Sequence, residues 1–301
     1  MKIRISDTNC GKFSKQLEEH WQSQGHDVKR SMYYEHEFLD ADMYFFDSAD
    51  NTVIHFSTEK KKRPPIVIVR SLDIDIWHQY YLKWDFDWID HWIFINDTMR
   101  DWSFKEESFK KPEKTKVHTI NCGVDMNKFS LRKNKKRNKK IAWIGRFWIA
   151  KNVAGAIKIV KELNRRDPGW SLHLLGTRFD PGWWKAYCEN LISEQNFPIT
   201  IDEHAVSVSE WLEDKDYFLL TSFKEAFSYV TAEAMSKGLK PVINNFWGCK
   251  ELWPKEYIYD THGEAADIIL NGEYDPNKYR RFIKDNYNQD IMFKKIDALF
   301  Q

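Results

Sequence analysis

The sequence predicts an α/β protein of two domains, each a parallel sheet layered with helices, the two sheets facing each other across a cleft. Three observations lead there. Short apolar runs recur along 301 residues with helix-compatible or loop sequence between them, an alternation that favours parallel βα units over a sandwich. The length fits two domains of roughly 100 to 200 residues each. Between Arg132 and Lys140 seven of nine residues are basic and none is apolar, which marks a boundary near the middle of the chain.

In the first half the strand-like runs fall at 2–6, 42–46, 66–70 and 92–95. After the first, Phe13, Leu17 and Trp21 recur at four-residue spacing across Lys12–Gln24, one face of a helix that Gly25 ends. The basic run reads as a solvated interdomain linker, with a phosphate-binding strip as the alternative. Beyond it strands are predicted at 141–144, 171–175, 217–220 and 241–243, and helices at 152–165, 182–195 and 228–237. The resulting division is a first domain over 1–130, a linker over 131–140, a second domain over 141–285 and a closing segment over 286–301. In sheets of this kind ligands bind at the carboxyl ends of the strands.

Composition narrows the class. With 42% hydrophobic and 30% charged residues and fourteen tryptophans the chain is a folded globular protein. A net charge of +1 supplies no global field for nucleic acid, although Lys60–Arg63 and Arg132–Lys140 are dense basic runs that leave a nucleic-acid partner open. No stretch approaches the roughly 18 to 20 apolar residues of a membrane span. The opening residues lack a leader's apolar segment, so the expectation is a cytoplasmic protein without integral membrane association. Cys10, Cys122, Cys188 and Cys249 are scattered and read as reduced thiols without a zinc site. No metal and no cofactor is expected.

Two segments carry chemistry. In Ile141-Ala-Trp-Ile-Gly145-Arg146-Phe-Trp-Ile-Ala-Lys151 a strand ends in a glycine and sends out two cations before a helix begins. Such a loop suits a diphosphate, with backbone approach at the glycine and charge from Arg and Lys. In Glu225-Ala-Phe227-Ser228-Tyr229-Val-Thr-Ala-Glu233 two carboxylates flank a helix start after the apolar run Tyr217–Leu220. Both are placed to point above the strand ends, although a carboxylate near a helix start is also favoured by the helix dipole alone. Asp40/Asp42, Asp73/Asp75 and Asp85/Asp87 each spell D-x-D, but three matches in an acidic region lower the value of each as a magnesium site. The aromatic run Trp77–Trp92 reads as core packing or an interface, with a stacking surface as the alternative. Phe147, Trp148 and Trp247 are candidate pocket walls.

In order and spacing these segments resemble the GT-B nucleotide-sugar glycosyltransferases, the group similar to glycogen synthase and sucrose-phosphate synthase. The match comprises Gly145, Arg146 and Lys151, then Glu225, Ala226, Phe227, Ser228 and Glu233, then Ala234, Met235, Gly238, Pro241, Val242 and Ile243. Asn121-Cys-Gly-Val-Asp125 ending in Phe129 and Gly25-His-Asp-Val28 add to it. The resemblance implies two Rossmann-like domains, a closing helix that returns to the first domain, and transfer of a sugar from a nucleotide-diphosphate donor, UDP-linked for preference. It implies that Arg146 and Lys151 hold the diphosphate, Glu225 faces the transferred sugar and Glu233 accepts from the ribose hydroxyls. The backbone of Phe227, Ser228 and Tyr229 would bind phosphate or sugar oxygens. Acceptor recognition would fall to the first domain, where Arg70 and Asp73 stand in place of the usual histidine and acid and also read as a surface ion pair with each other. Gly11 is the single glycine at the position of the family's glycine-rich loop. Retention of configuration and independence of metal follow from the resemblance alone. A modified DNA base as acceptor and a non-catalytic nucleotide-sugar-binding module are the competing functions.

Overall fold

The computed structural model describes residues 1–8, 14–32, 40–59, 63–105, 109–133, 137–176, 182–205 and 207–300. They form two compact units, Met1–Cys122 with Asp290–Gln301, and Gly123–Gln289. The exchange between units therefore falls at Cys122–Gly123, ahead of the basic run rather than within it.

The first unit carries strands β1 (Lys2–Ser6), β2 (Asp27–Ser31), β3 (Met43–Asp47), β4 (Ile66–Ser71), β5 (His91–Phe94) and β6 (Lys116–Thr119). They lie in the order β2-β1-β3-β4-β5-β6, every pair parallel. Helices α1 (Lys15–Ser23), α2 (Asn51–Glu59), α3 (Asp73–Trp77) and α4 (Asp97–Ser103) connect them. Ile3, Ile5, Leu17, Trp21, Met43, Phe45, Ile68 and Ile93 make one core face. The chain's end seals it with Met292, Phe293 and Ile296. Asp297 accepts from both the Trp21 indole N–H at 2.8 Å and His20 at 2.8 Å.

The second unit holds α5 (Val153–Arg166), α6 (Trp183–Ser193), α7 (Val208–Trp211), α8 (Tyr229–Ser236), α9 (Cys249–Leu252), α10 (His262–Asn271), α11 (Pro276–Asn286) and the start of α12 (Gln289–Asp297), which runs into the first unit. Its strands are β7 (Lys140–Ile144), β8 (Ser171–Leu175), β9 (Ile199–Asp202), β10 (Tyr217–Leu220), β11 (Lys240–Asn244) and β12 (Ile258–Tyr259). The order β12-β11-β10-β7-β8-β9 is again wholly parallel. Renumbered within the unit this is 6-5-4-1-2-3, the dinucleotide-fold order, whose direction of winding reverses between β7 and β10. The first sheet reverses between β1 and β3 instead, the flavodoxin-like variant of the same rule.

Over its described residues the basic run is only partly solvated: Lys133 and Arg137 are exposed, while other cations are tied to the second unit. Arg132 is 3% exposed. Its guanidinium bonds Asp216 at 3.0 Å, the Tyr274 hydroxyl at 2.5 Å and the Lys215 carbonyl. Arg137 bonds the Tyr217 hydroxyl, Lys139 pairs with Asp167 at 2.7 Å and Lys140 with Asp214 at 2.6 Å. Arg132, Lys139 and Lys140 thus answer carboxylates at the amino edge of the second sheet. Of the other run only Arg63 is described, and it pairs with Asp90. Part of the aromatic run is core: Tyr81, Trp84 and Trp92 are buried, with both Tyr81 and Trp84 rings against Trp92 at 5.6 and 5.4 Å, while Trp77 at its start is exposed.

Gly176, just past β8, lies so close to the end of β7 that a Cβ there would sit 1.9 Å from the Gly145 carbonyl oxygen. Gly176→Ala should lower stability by about 1–3 kcal/mol, because backbone cannot move aside as a flexible side chain does. Gly263 in α10 meets nothing nearer than 3.5 Å, and Gly263→Ala should raise stability by about 0.5–1 kcal/mol through helix propensity. Urea unfolding of both variants checks the opposite signs.

Candidate active site

The second sheet's reversal point gathers the predicted residues. Asn152 caps α5 from a left-handed backbone (φ 51°, ψ 52°), its side chain accepting from the Gly155 N–H at 3.0 Å. Ser228 opens α8 from φ 73°, ψ 79°, a conformation that costs a β-substituted residue about 1–3 kcal/mol. Because β7 and β10 are neighbours, the amino ends of α5 and α8, each partially positive, rise from adjacent strands at the carboxyl edge.

Hydrogen bonds fix the two loops against each other. Thr221 is fully buried; its hydroxyl accepts from the Trp143 indole N–H at 2.9 Å and donates to the Lys151 carbonyl at 2.8 Å. The Phe223 N–H donates to the Ala150 carbonyl at 2.9 Å. The result is a pairing across 74 residues: Lys151 Nζ donates to Glu225 Oε1 at 2.6 Å. The Lys151 and Glu225 side chains are 30% and 12% exposed, so the pair is partly screened by solvent and is not a buried core bridge. Arg146 is exposed with its guanidinium 5.1 Å from the Trp148 ring centroid. Gly145 donates its N–H to the Leu175 carbonyl at 3.0 Å.

Glu233, on the fifth residue of α8, is half-buried, and burial pushes its carboxyl up to about 7, with Lys128 pulling the other way. No side-chain hydrogen bond reaches that carboxyl among the described residues. Lys128 is a contributor that the sequence left unmarked, although it sits inside the Asp125–Phe129 motif. Thr221 carries one signal in the sequence, a hydroxyl directly after the apolar run Tyr217–Leu220.

The Phe227 side chain is core, with ring contacts to Tyr287 at 4.9 Å and Trp253 at 5.6 Å. What this residue offers a ligand is backbone. Phe147 is likewise 1% exposed and stacked on Trp143, so it forms no pocket wall; Trp148 and Trp247 are 43% exposed.

In the first unit Arg70 does not pair with Asp73 at the surface. It is 1% exposed at the end of β4 and bonds Asp47 Oδ1 at 2.6 Å. Burial raises the Asp47 carboxyl above its ordinary range while Arg70 pulls it down, and Asp47 Oδ2 is buried without a hydrogen-bond partner among the described residues. Asp73 opens α3. Gly11 lies outside the described residues. The D-x-D acids have structural partners: Asp40 and Asp42 meet Lys2, Asp75 accepts from the Leu72 and Ala49 N–H groups, and Asp87 meets Lys114. Among the described residues no helix is long and apolar enough to cross a membrane.

Residues 125–293 match the profile of the family described as glycosyl transferases group 1. Over 135 residues the chain is 22% identical to a GDP-mannose:cellobiosyl-diphosphopolyprenol alpha-mannosyltransferase of Xanthomonas campestris; the match covers 44% of this chain and 35% of that protein. The chain thus spans about a third of the length of that curated relative. The fold is similar to sucrose-phosphate synthase of Thermosynechococcus elongatus, with TM-score 0.75, 13% identity and coverage of 99% and 97%. It is also similar to HepE of Anabaena, solved in complex with UDP, with TM-score 0.73, 13% identity and coverage of 99% of each chain.

A carboxyl held at about 7 when folded and near 4.5 when unfolded keeps a proton in the native state that the unfolded chain has already lost. Stability from this group is therefore highest below the lower value and is lost as pH rises through the upper one. Glu233→Gln, which cannot ionise, should match wild type in melting temperature at about pH 4 and exceed it at about pH 8; a constant offset across that range would contradict the raised carboxyl.

Proposed function

The chain belongs to the group 1 glycosyl transferases and is a GT-B glycosyltransferase, and from that premise we propose that it moves a hexosyl group from a nucleotide-diphosphate sugar, UDP-linked for preference, to a hydroxyl acceptor with retention of configuration. The observation that carries the reading is the Lys151–Glu225 contact at the reversal point, between the loops of β7 and β10.

In this reading the diphosphate lies against Arg146, Lys151 and the amino end of α8. The bond between the anomeric carbon and the phosphate oxygen breaks as the acceptor oxygen bonds to the same carbon, and the acceptor proton passes to a phosphate oxygen of the departing group. Negative charge grows on the diphosphate during that step. Two fixed cations and a helix terminus stabilise it without rearranging, which lowers the barrier; these protein groups take the place of a bound metal. Glu225 turns to the hydroxyls of the transferred sugar once the diphosphate takes over Lys151, and Glu233 pairs with the ribose. Arg70 and Asp73 are assigned to the acceptor side, and Gly11 to donor contact in the first unit.

The solved relative HepE holds UDP while the curated relative's name specifies GDP-mannose, so the base is a matter for a panel. UDP-, GDP- and ADP-sugars are to be screened by thermal shift, since ligand binding to the native state raises the melting temperature. One donor should stabilise the wild type, and Arg146→Ala or Lys151→Ala should weaken it at least about tenfold, as expected for loss of a charge-assisted bond. Glu225→Gln should act oppositely on the free nucleoside diphosphate, tightening it several-fold by releasing Lys151, while transfer falls by about a hundredfold or more. If Lys151→Ala binds every donor like wild type, the assigned site is wrong.

A further inference from the structure

Arg280, on α11, is a half-buried cation that the donor reading leaves unassigned. Its guanidinium donates to three main-chain carbonyls: Nη1 to Phe129 and to Ser236, each at 2.6 Å, and Nη2 to Met126 at 3.0 Å. Burial alone shifts the group, downward, and no carboxylate offsets that cost among the described residues. The planar fork of an arginine reaches several carbonyls at once, where a lysine would act as a point charge. The three carbonyls come from two segments. Ser236 closes α8, so the cation also meets the negative end of that helix. Met126 and Phe129 are the two ends of a turn whose inner N–H groups, those of Asn127 and Lys128, donate to Asp125 Oδ1 at 2.8 and 3.1 Å. The Ser236 hydroxyl, 3.3 Å from Met126 Sδ, joins the same two segments a second time.

Phe129 is buried and Lys128 exposed, so the turn is gripped at its ends and presents its lysine from the middle. Lys128 is the one charge among the described residues that acts on the carboxyl of Glu233, which lies on the same helix as Ser236. We propose that Arg280 is a positioning residue for donor binding: it locks the Met126–Phe129 turn to the end of α8 and thereby keeps Lys128 beside the carboxyl assigned to the ribose. Turn, α8 and α11 all belong to the second unit. A loose turn would let an exposed ammonium drift into water, where screening weakens its attraction for a carboxylate. Held in place, it offsets the charge that Glu233 gains as vicinal hydroxyls draw it to the ionised form. Capping of α8 alone would account for the bond to Ser236 and leave the two bonds to the turn without a reason.

This role rests on the donor reading, and its test keeps the two apart. Calorimetric titration of the full chain gives the Kd of UDP and of 2′-deoxy-UDP, or of the GDP pair if the panel selects guanine, from about pH 5 to about pH 8. The ratio of the two constants isolates the ribose contact, because both ligands carry the same phosphates. In wild type the preference for the ribonucleotide should rise with pH and level off above about 7, where free Glu233 is already ionised. Lys128→Met and Arg280→Lys should each move that rise upward by about half a pH unit, a loss of about threefold in preference at a pH within the rise. The double variant should move no further than Lys128→Met, since Arg280 acts through that lysine. Arg280→Gln, which keeps a donor for the carbonyls, should shift the rise in the same direction and serves if Arg280→Lys does not fold. A purely structural Arg280 would lower the melting temperature and leave the pH course in place. That result overturns the proposal, as does a Lys128→Met course equal to wild type or an Arg280→Lys shift that persists without Lys128. Failure of the donor reading looks different: UDP or GDP would bind Lys151→Ala as it binds wild type, or the pH-dependent preference would survive Glu233→Gln, which ends the ribose assignment and this role together.

Discussion

The arrangement at the second sheet's reversal point depends on one hydroxyl. Thr221 sits at the end of β10 with no exposure, and its oxygen serves Trp143 on β7 and the Lys151 carbonyl at once. A lone hydrogen bond contributes only about 1 kcal/mol, yet leaving either buried partner unpaired costs more than that. The loops after β7 and β10 are therefore held in one register rather than sliding past each other. That register brings Lys151 to Glu225 and sets the start of α5 beside the start of α8. A phosphate-sized anion at this point meets oriented dipoles and cations that were arranged before it arrived.

Buried ion pairs occur at both edges of these sheets, and they differ in which member is fully satisfied. Arg132 and Asp216 lie at the amino edge, where Asp216 also accepts from the Asn138 and Lys140 N–H groups and Tyr274 takes the second guanidinium nitrogen. Both oxygens of the Asp216 carboxylate are engaged, and the atom left without a hydrogen-bond partner among the described residues is on the cation, Arg132 Nε. Arg70 and Asp47 lie at the carboxyl edge of the first sheet, and there one carboxylate oxygen has no hydrogen-bond partner among the described residues. The two pairs differ in which member is incomplete: the guanidinium at the amino edge, and the carboxylate at the edge where ligands of such sheets bind.

The eight strands legible in the sequence are the eight central ones, and the four that escaped, β2, β6, β9 and β12, are the four edges. A central parallel strand is covered on both faces and reads as an unbroken apolar run, as in Met43–Asp47 or Tyr217–Leu220. An edge strand such as Asp27–Ser31 buries only Val28, so its pattern is indistinguishable from a loop. The site's residues were legible by order and spacing because a loop at a strand end has few ways to present Arg, Lys and Glu together. Their partners were not. Nothing in the local pattern pairs Arg70 with Asp47, 23 positions back, or decides that Phe147 turns inward while Trp148 turns out. The basic run misled for a related reason: charge density along a chain carries no information about the acids, here Asp167, Asp214 and Asp216, that folding brings opposite it.

Glu233 shows how burial and binding are linked at such a point. Holding a carboxyl half out of water is unfavourable, and the folded chain bears that cost before any ligand is present. A vicinal diol, the group assigned to it, both donates and accepts hydrogen bonds. An ionised carboxylate accepts hydrogen bonds from both hydroxyls of the diol, and a protonated one donates one hydrogen bond and accepts another, so both forms pair. Pairing strengthens in the ionised form, where the bonds are charge-assisted, and bound diol thus draws the carboxyl back toward its ordinary range. Lys128 biases the same equilibrium in the same direction. In the proposed reading, a nucleotide bound here would relieve part of that desolvation penalty and so turn it into a contribution to selective binding.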